Sequence, residues 1–324
     1  MLAAWYEKNG PAADVMKVGE LPDPAPAAGE VRVRLHTSAV NPSDVKARAG
    51  SRKIAWERVV PNSDGAGVID QVGAGVDAAR SGQRVWTFNG QWQRPYGTSA
   101  QYITLPAALA VPLPDHITFE QGACLGIPVM TAHRCLFAEG PIKGKTVLVT
   151  GGAGVVGHYA IQLAKWAGAT VVTTISSAAK AAHAKAAGAD AVIDYRTENV
   201  VARIKAETGG VDHVVDVDFG KNLAVTAQVL RPNGVVTSYA SMGDPKPALP
   251  YYDLFALNPV LRPVLVYTMN DDAKAQAHAD IARWSQETTP VFAIAERFAL
   301  ADVVHAHLAV ERGAKIGHVV MNIA

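Results

Sequence analysis

Cysteine is almost absent. Of 324 residues only Cys124 and Cys135 carry a thiol, and neither stands in a C-x-x-C. A disulfide framework and a structural zinc lobe are thereby excluded, and a reducing compartment, the cytoplasm, is expected. An excess of either charge is missing too: 30 Lys and Arg against 29 Asp and Glu leave a formal charge of +1. Such a surface offers no electrostatic footprint for nucleic acid. Long apolar runs are also lacking, none approaching the roughly 20 residues of a membrane helix. Pro11 and Asp14 interrupt the N-terminal stretch too early for a signal peptide. What is there is a hydrophobic content of 49% with 18% charged residues. That describes a well-packed globular chain, long enough for two domains.

The most informative stretch is residues 145–168. Val147-Leu148-Val149 reads as an apolar strand, and Gly152-Ala153-Gly154-Val155-Val156-Gly157 as a G-x-G-x-x-G turn. Val156, Ala160, Leu163 and Ala167 then recur at helical spacing until Gly168. In a dinucleotide-binding turn the first glycine allows a tight turn and the second lets backbone approach a pyrophosphate. The third lets helix and strand pack closely, with the helix N-terminus facing the phosphates. Glycines also mark ordinary turns, so the strand before and the helix after give the motif its meaning.

Around this stretch the chain changes character. Residues 1 to about 115 read as β-rich, with Val31, Val33 and Leu35 alternating with Arg32, Arg34 and His36. Further strands are expected at 2–5, 65–72, 84–87 and 100–105, and Thr118 with Gln121 spells a capping box. From Lys145 the periods alternate. Strands are expected at 170–175, 191–193, 212–217 and 235–239, with helices at 178–187, 198–207 and 222–230 between them. That is the pattern of a parallel sheet covered on both faces. Residues 259–267 are expected as an edge strand, 272–286 and 298–307 as helices, and 317–321 as a strand returning to the N-terminal β domain. The expected fold class is α/β. It pairs a β-rich domain of residues 1–120 and 296–324 with a Rossmann, doubly wound parallel-sheet domain of residues 121–295.

An NAD site places an acid some 20 residues past the glycines. Here the second strand ends at Ile175-Ser176-Ser177, and no Asp or Glu follows until Asp190. Ser176 and Ser177 offer hydroxyls and Lys180 a cation, a set suited to a 2′-phosphate. The same residues would also serve as a helix cap and a solvated charge, a role that leaves the missing acid unexplained. NADP is therefore expected over NAD, held without the bidentate grip of an arginine.

Several segments together resemble one family. They are Asn41-Pro42-Ser43-Asp44, Pro61 to Val68, Pro128-Val129-Met130-Thr131-Ala132, the glycine turn, Gly188-Ala189-Asp190, Ile193-Asp194-Tyr195 and Gly313 to Val320. In that order they resemble zinc-independent medium-chain dehydrogenase/reductases of the quinone oxidoreductase (zeta-crystallin-like) group. The resemblance implies a GroES-like catalytic domain built from both chain ends, a Rossmann domain inserted between them, and an active site in the cleft between the two. It implies that Asn41 and Thr131 lie near the nicotinamide, and that Gly154, Val155 and Val156 meet the pyrophosphate. Ser176, Lys180 and Tyr195 would surround the adenine ribose phosphate. It also implies a homodimer formed through an edge strand, with Val264 to Tyr267 as the matching edge. Zinc-dependent relatives need cysteine and histidine ligands; here Ser43-Asp44, Asn62-Ser63-Asp64 and Ile127 stand at those places, so no metal is expected.

Without a Lewis acid an alcohol is a poor hydride donor. The expected direction is from NADPH to a small electrophile, a quinone or an α,β-unsaturated carbonyl, with the protein supplying orientation and exclusion of water. No general acid is evident. Lys46 and Tyr96, in expected loops of the β domain, are the candidates for facing the nicotinamide, Lys46 being equally readable as a solvated charge. Trp56, Trp86, Phe88 and Trp92 are candidates for an aromatic substrate pocket, although aromatics more often fill cores. Two other functions stand beside this one: an enoyl-thioester reductase and a non-catalytic NADPH-binding sensor.

Overall fold

The computed structural model describes residues 1–314 and 316–323, so Lys315 of the C-terminal matching stretch lies outside the described residues. The chain divides into two compact units, Met1–Ile127 with Phe292–Ala324, and Pro128–Val291.

The first unit opens with strands β1 (Leu2–Trp5), β2 (Lys17–Glu20), β3 (Glu30–Val40), β4 (Asp64–Val72), β5 (Arg84–Thr87), β6 (Tyr102–Pro106) and β7 (Ala110–Pro112). Between and after them lie the short helices α1 (Ala12–Val15), α2 (Pro42–Lys46) and α3 (Phe119–Ala123). The alternation in β3 sends Val31, Val33 and Leu35 inward, each at most 1% exposed. Helix α3 starts where the capping box places it: Thr118 Oγ1 accepts from the Gln121 N–H, and Gln121 Oε1 accepts from the Thr118 N–H. It packs on β3 and β4, and the Ile127 N–H donates to Asp64 Oδ2 at 2.8 Å. The first unit therefore extends beyond residue 120.

In the second unit strands β8 (Thr146–Val149), β9 (Thr170–Ile175), β10 (Ala191–Asp194), β11 (Val211–Asp216), β12 (Leu230–Ser238) and β13 (Val260–Pro263) form one sheet. Their order is β10-β9-β8-β11-β12-β13, every neighbouring pair parallel. Helices α4 (Ile127–Phe137), α5 (Val155–Trp166), α6 (Ala178–Ala186), α7 (Val200–Thr208), α8 (Phe219–Val229), α9 (Tyr251–Phe255) and α10 (Asp271–Glu287) accompany them. Parallel neighbours require long crossovers, which is why strand and helix alternate along the sequence. Leu148, Val172, Ile193, Val214 and Val236, one from each of the five inner and left-hand strands β8 to β12, share one core. The chain winds outward from β8 to β10 and then restarts on the other side at β11. The reversal between β8 and β11 is the switch point at which doubly wound sheets open a ligand crevice.

The chain returns to the first unit as β14 (Ile294–Ala299), helix α11 (Val303–Arg312) and β15 (His318–Asn322). The main sheet there runs β14-β15-β3-β4-β5-β7, with β6 also on β3, and β1 pairs with β2 separately. Val303, Ala306 and Ala309 of α11 join Val33, Leu35 and Ile69 in its core.

Three local expectations are corrected. Residues 298–307 are not one helix: Phe298 lies in β14, and α11 starts at Val303. Leu300 and Ala301 favour helix, but parallel pairing with β15 holds 294–299 extended, and pairing overrides propensity. The edge strand of the second unit ends at Pro263, and the Val264 N–H makes the last bond to β12, to Ser238 O at 2.7 Å. Val264 to Tyr267 is not a strand, and a 3-10 turn over Val266–Thr268 buries Val266 and Tyr267. Lys46 closes helix α2 and is not in a loop, because Pro42 at the first helical position follows a capping Asn41. Helix α4 tolerates Pro128 because a proline in the first turn costs no hydrogen bond.

Candidate functional site

The glycine turn lies at the switch point of the second unit. Gly151, one residue before the motif, takes the left-handed φ of 66° that the tight turn needs. Gly152 has a different task from the one its motif position predicts. A Cβ there would sit 2.0 Å from Thr173 Oγ1 and 2.8 Å from Ile161 Cδ1, so its bareness lets the turn lie on β9. A Cβ on Gly157 would meet Gly151 O at 2.5 Å and Gly152 Cα at 3.0 Å, the close helix–turn packing expected of a third glycine. Gly154 is the least enclosed of the three, its Cβ position meeting only Gly151 O, at 3.3 Å. It caps the 12-residue helix α5, and no side chain bonds to the first-turn amides there. With Ala153, Val155 and Val156 the turn thus presents backbone N–H groups and a positive helix end, which suit a pyrophosphate.

Hydrogen bonds fix the turn. The Gly151 N–H donates to Thr174 Oγ1 and the Gly152 N–H to Thr174 O, both at 3.1 Å. Thr150 Oγ1 donates to Asp216 Oδ1 at 2.8 Å and accepts from the Val217 N–H at 3.0 Å, tying β8 to β11 at the reversal. Asn222 Nδ2 and the Asp218 N–H donate to the same carboxylate oxygen. Burial pushes the Asp216 carboxyl up, against the pull of those donors. Sequence reasoning passed over Thr150 and Asp216. Their signal was a polar residue closing each of two apolar strands.

At the same sheet edge buried Ser176 directly follows β9, and Lys180 Nζ donates to its Oγ at 2.9 Å. Ser177 caps α6, accepting from the Lys180 N–H, so the plainer capping role belongs to Ser177. Asp194 pairs with Ile175 across β10 and β9, and Tyr195, 54% exposed, follows at that edge. The structure thus gathers Ser176, Ser177, Lys180 and Tyr195 along one edge. Thr131 is buried in α4.

In the first unit Asn41 is held by two buried acids. Its Nδ2 donates to Asp64 Oδ2 at 2.7 Å, and its backbone N–H donates to Asp44 Oδ2 at 2.8 Å. Burial pushes the Asp44 carboxyl up to about 7, and burial with Asp44 nearby pushes Asp64 well above the usual range. A cavity of about 310 Å³ opens in this unit, lined among others by Tyr6, Arg52, Lys53, Trp56, Gln91 and Trp92. The four aromatics named from sequence therefore divide: Trp56 and Trp92 line the cavity, whereas Trp86 and Phe88 are 2% and 0% exposed in the core. Lys46 is exposed at the end of α2, and Tyr96 packs against Ala3, Leu21 and Val60; neither lines the cavity.

Comparison with known proteins agrees with this layout. The alcohol dehydrogenase GroES-like domain family matches residues 27–115, and the zinc-binding dehydrogenase family residues 155–283. The chain is 35% identical over 237 residues to a quinone oxidoreductase of Rattus norvegicus, covering 71% of this chain and 70% of that one. It is 30% identical over 304 residues to a 2-methylene-furan-3-one reductase of Solanum lycopersicum, covering 87% and 77%. A mycobacterial protein solved in complex with NADPH superposes over the whole of both chains with a TM-score of 0.87 and 28% identity. The second family description speaks of zinc, and the residues here do not fit it. Ser43, Ser63 and Ile127 offer no cysteine or histidine, and two N–H donors, from Asn41 and Ile127, occupy Asp64 Oδ2.

Proposed function

The chain belongs to the quinone oxidoreductase family of medium-chain dehydrogenase/reductases, and from that premise we propose an NADPH-dependent reductase of quinones or α,β-unsaturated carbonyls that works without zinc. The observation that carries the cofactor is the Ser176–Lys180 pair at the end of β9, where a ribose-binding acid would favour NAD. NADPH supplies the hydride when bound. The α5 amides hold the pyrophosphate, and Ser176 and Lys180 hold the ribose phosphate, with Tyr195 beside them. Asn41, its amide fixed by Asp64, and Thr131 serve the nicotinamide end. A quinone takes its proton from solvent, so this reading needs no acid at Lys46 or Tyr96. The two cysteines are free and buried, in keeping with a cytoplasmic protein. Among the described residues no helix is long and apolar enough to cross a membrane.

The test is NADPH oxidation with benzoquinone, phenanthrenequinone and a simple enone, each with and without a chelator. Turnover that the chelator leaves unchanged is the expected result. Tight NADPH binding with no turnover of any of the three would reject the reductase reading and favour the sensor.

A homodimer through β13 completes the proposal. Val260 and Leu261 of that edge strand are 40% and 36% exposed, and an unpaired edge is a template for a second copy. Leu261→Lys is expected to turn a dimer into a monomer in sedimentation at micromolar concentration. A wild-type monomer would remove the idea.

A further inference from the structure

We infer that the cavity of the first unit selects planar aromatic ligands that carry an anionic group, and that these are the acceptors the enzyme prefers. The second half rests on the reductase reading; the first does not.

The wall carries two cations, Arg52 and Lys53, and no carboxylate. Trp56 and Trp92 supply flat apolar faces, and the volume of about 310 Å³ falls at the small end of ligand sites. The Arg52 guanidinium lies over the Trp92 ring, 5.0 Å from its centroid. A stacked guanidinium keeps its planar fork of donors, which matches a carboxylate or sulfonate better than a point charge does. Asp44, which feels the Arg52 charge, is buried and not part of the wall. Burial pushes its carboxyl up to about 7, so it offsets the guanidinium only in part at neutral pH. The Tyr6 phenol, pushed up to about 12 by burial, stays protonated and adds no negative charge to the wall.

The wall is also built in advance. Asn89 and Gln93 both take the left-handed φ of 55°, bending residues 89–93 into a tight loop around Trp92. Gln91 Nε2 donates to Arg94 O at 3.0 Å, and Arg94 Nη2 donates to Gly90 O at 2.7 Å, pinning that loop. Across the cavity Asn9 Nδ2 donates to the carbonyls of Ala47, Arg48 and Arg52. A ligand therefore orders little on entry, and the charge difference is expressed in affinity.

The experiment separates the two halves. Binding of β-naphthoate and of neutral β-naphthylmethanol is measured by calorimetry without cofactor. The acid is expected to bind about tenfold more tightly, the preference falling to near unity in R52Q/K53Q and to an intermediate value in R52K. K53Q alone, on an exposed side chain, is expected to cut the preference by about threefold, which keeps the test alive if the Arg52 variants do not fold. In turnover, naphthoquinone sulfonate is expected to show a KM about tenfold below that of naphthoquinone. Equal binding of acid and alcohol, or a preference that survives R52Q/K53Q, overturns the inference. A naphthoate preference without turnover of either quinone upholds the anionic site and overturns its role in reduction.

Discussion

Lys180→Ala is expected to raise the KM for NADPH by about 10–100-fold and to leave that for NADH within about twofold. The ammonium of Lys180 is held on Ser176 Oγ at 2.9 Å, at the end of β9, where the proposed NADPH mode puts the adenine ribose. A charge-assisted contact to a phosphate contributes about 1.5–3 kcal/mol, and only NADPH carries the phosphate that would gain it. Ser176→Ala is expected to act in the same direction but less, since a neutral hydroxyl contributes about half as much. Steady-state kinetics with both cofactors measures the effect. An equal rise for NADPH and NADH would mean that Lys180 supports only the fold of α6 and that selectivity lies elsewhere.

A second large effect separates two glycines of one motif. Gly157→Ala is expected to destabilise the second unit by about 3 kcal/mol, because its Cβ would press on Gly151 O at 2.5 Å and Gly152 Cα at 3.0 Å, which are backbone and cannot swing away. Gly154→Ala is expected to lower the unfolding temperature far less than Gly157→Ala does. Its φ of −72° suits alanine, and the added carbon meets only Gly151 O at 3.3 Å. In the proposed binding mode that carbon stands where the pyrophosphate approaches the helix end, and NADPH affinity is expected to fall at least about tenfold. Thermal unfolding and NADPH titration of both variants decide the matter. If Gly154→Ala binds NADPH like the wild type, the anion site is not at α5.

The parallel sheet was legible in the sequence because each of its units is local: an apolar strand, a turn and a helix that follows within a few residues. The Ser176–Lys180 pair at its edge was legible for a related reason, since the two lie four residues apart where β9 runs into α6. What escaped depends on partners distant in sequence. Strand β14 exists because β15 lies beside it, and nothing in Ile294–Ala299 alone outweighs the helical preference of the residues that follow. Trp86 and Trp92 look alike in sequence, yet Trp86 is directed into the core by its pairing with Ala66 while Trp92 lines the cavity. Asp64 reads in sequence only as part of a missing ligand motif, and the fold brings the N–H donors of Asn41 and Ile127 to one of its oxygens.

Strand β15 has a consequence in time. It pairs with β3 over Thr37 to Val40, across nearly the whole chain. During synthesis β3 emerges early, and that stretch of its edge stays unpaired until residues 318–322 arrive. The unit Pro128–Val291 is contiguous and can fold meanwhile. The first unit is therefore the part of this protein that waits longest with an open edge, exposed to wrong pairing until its last strand is made.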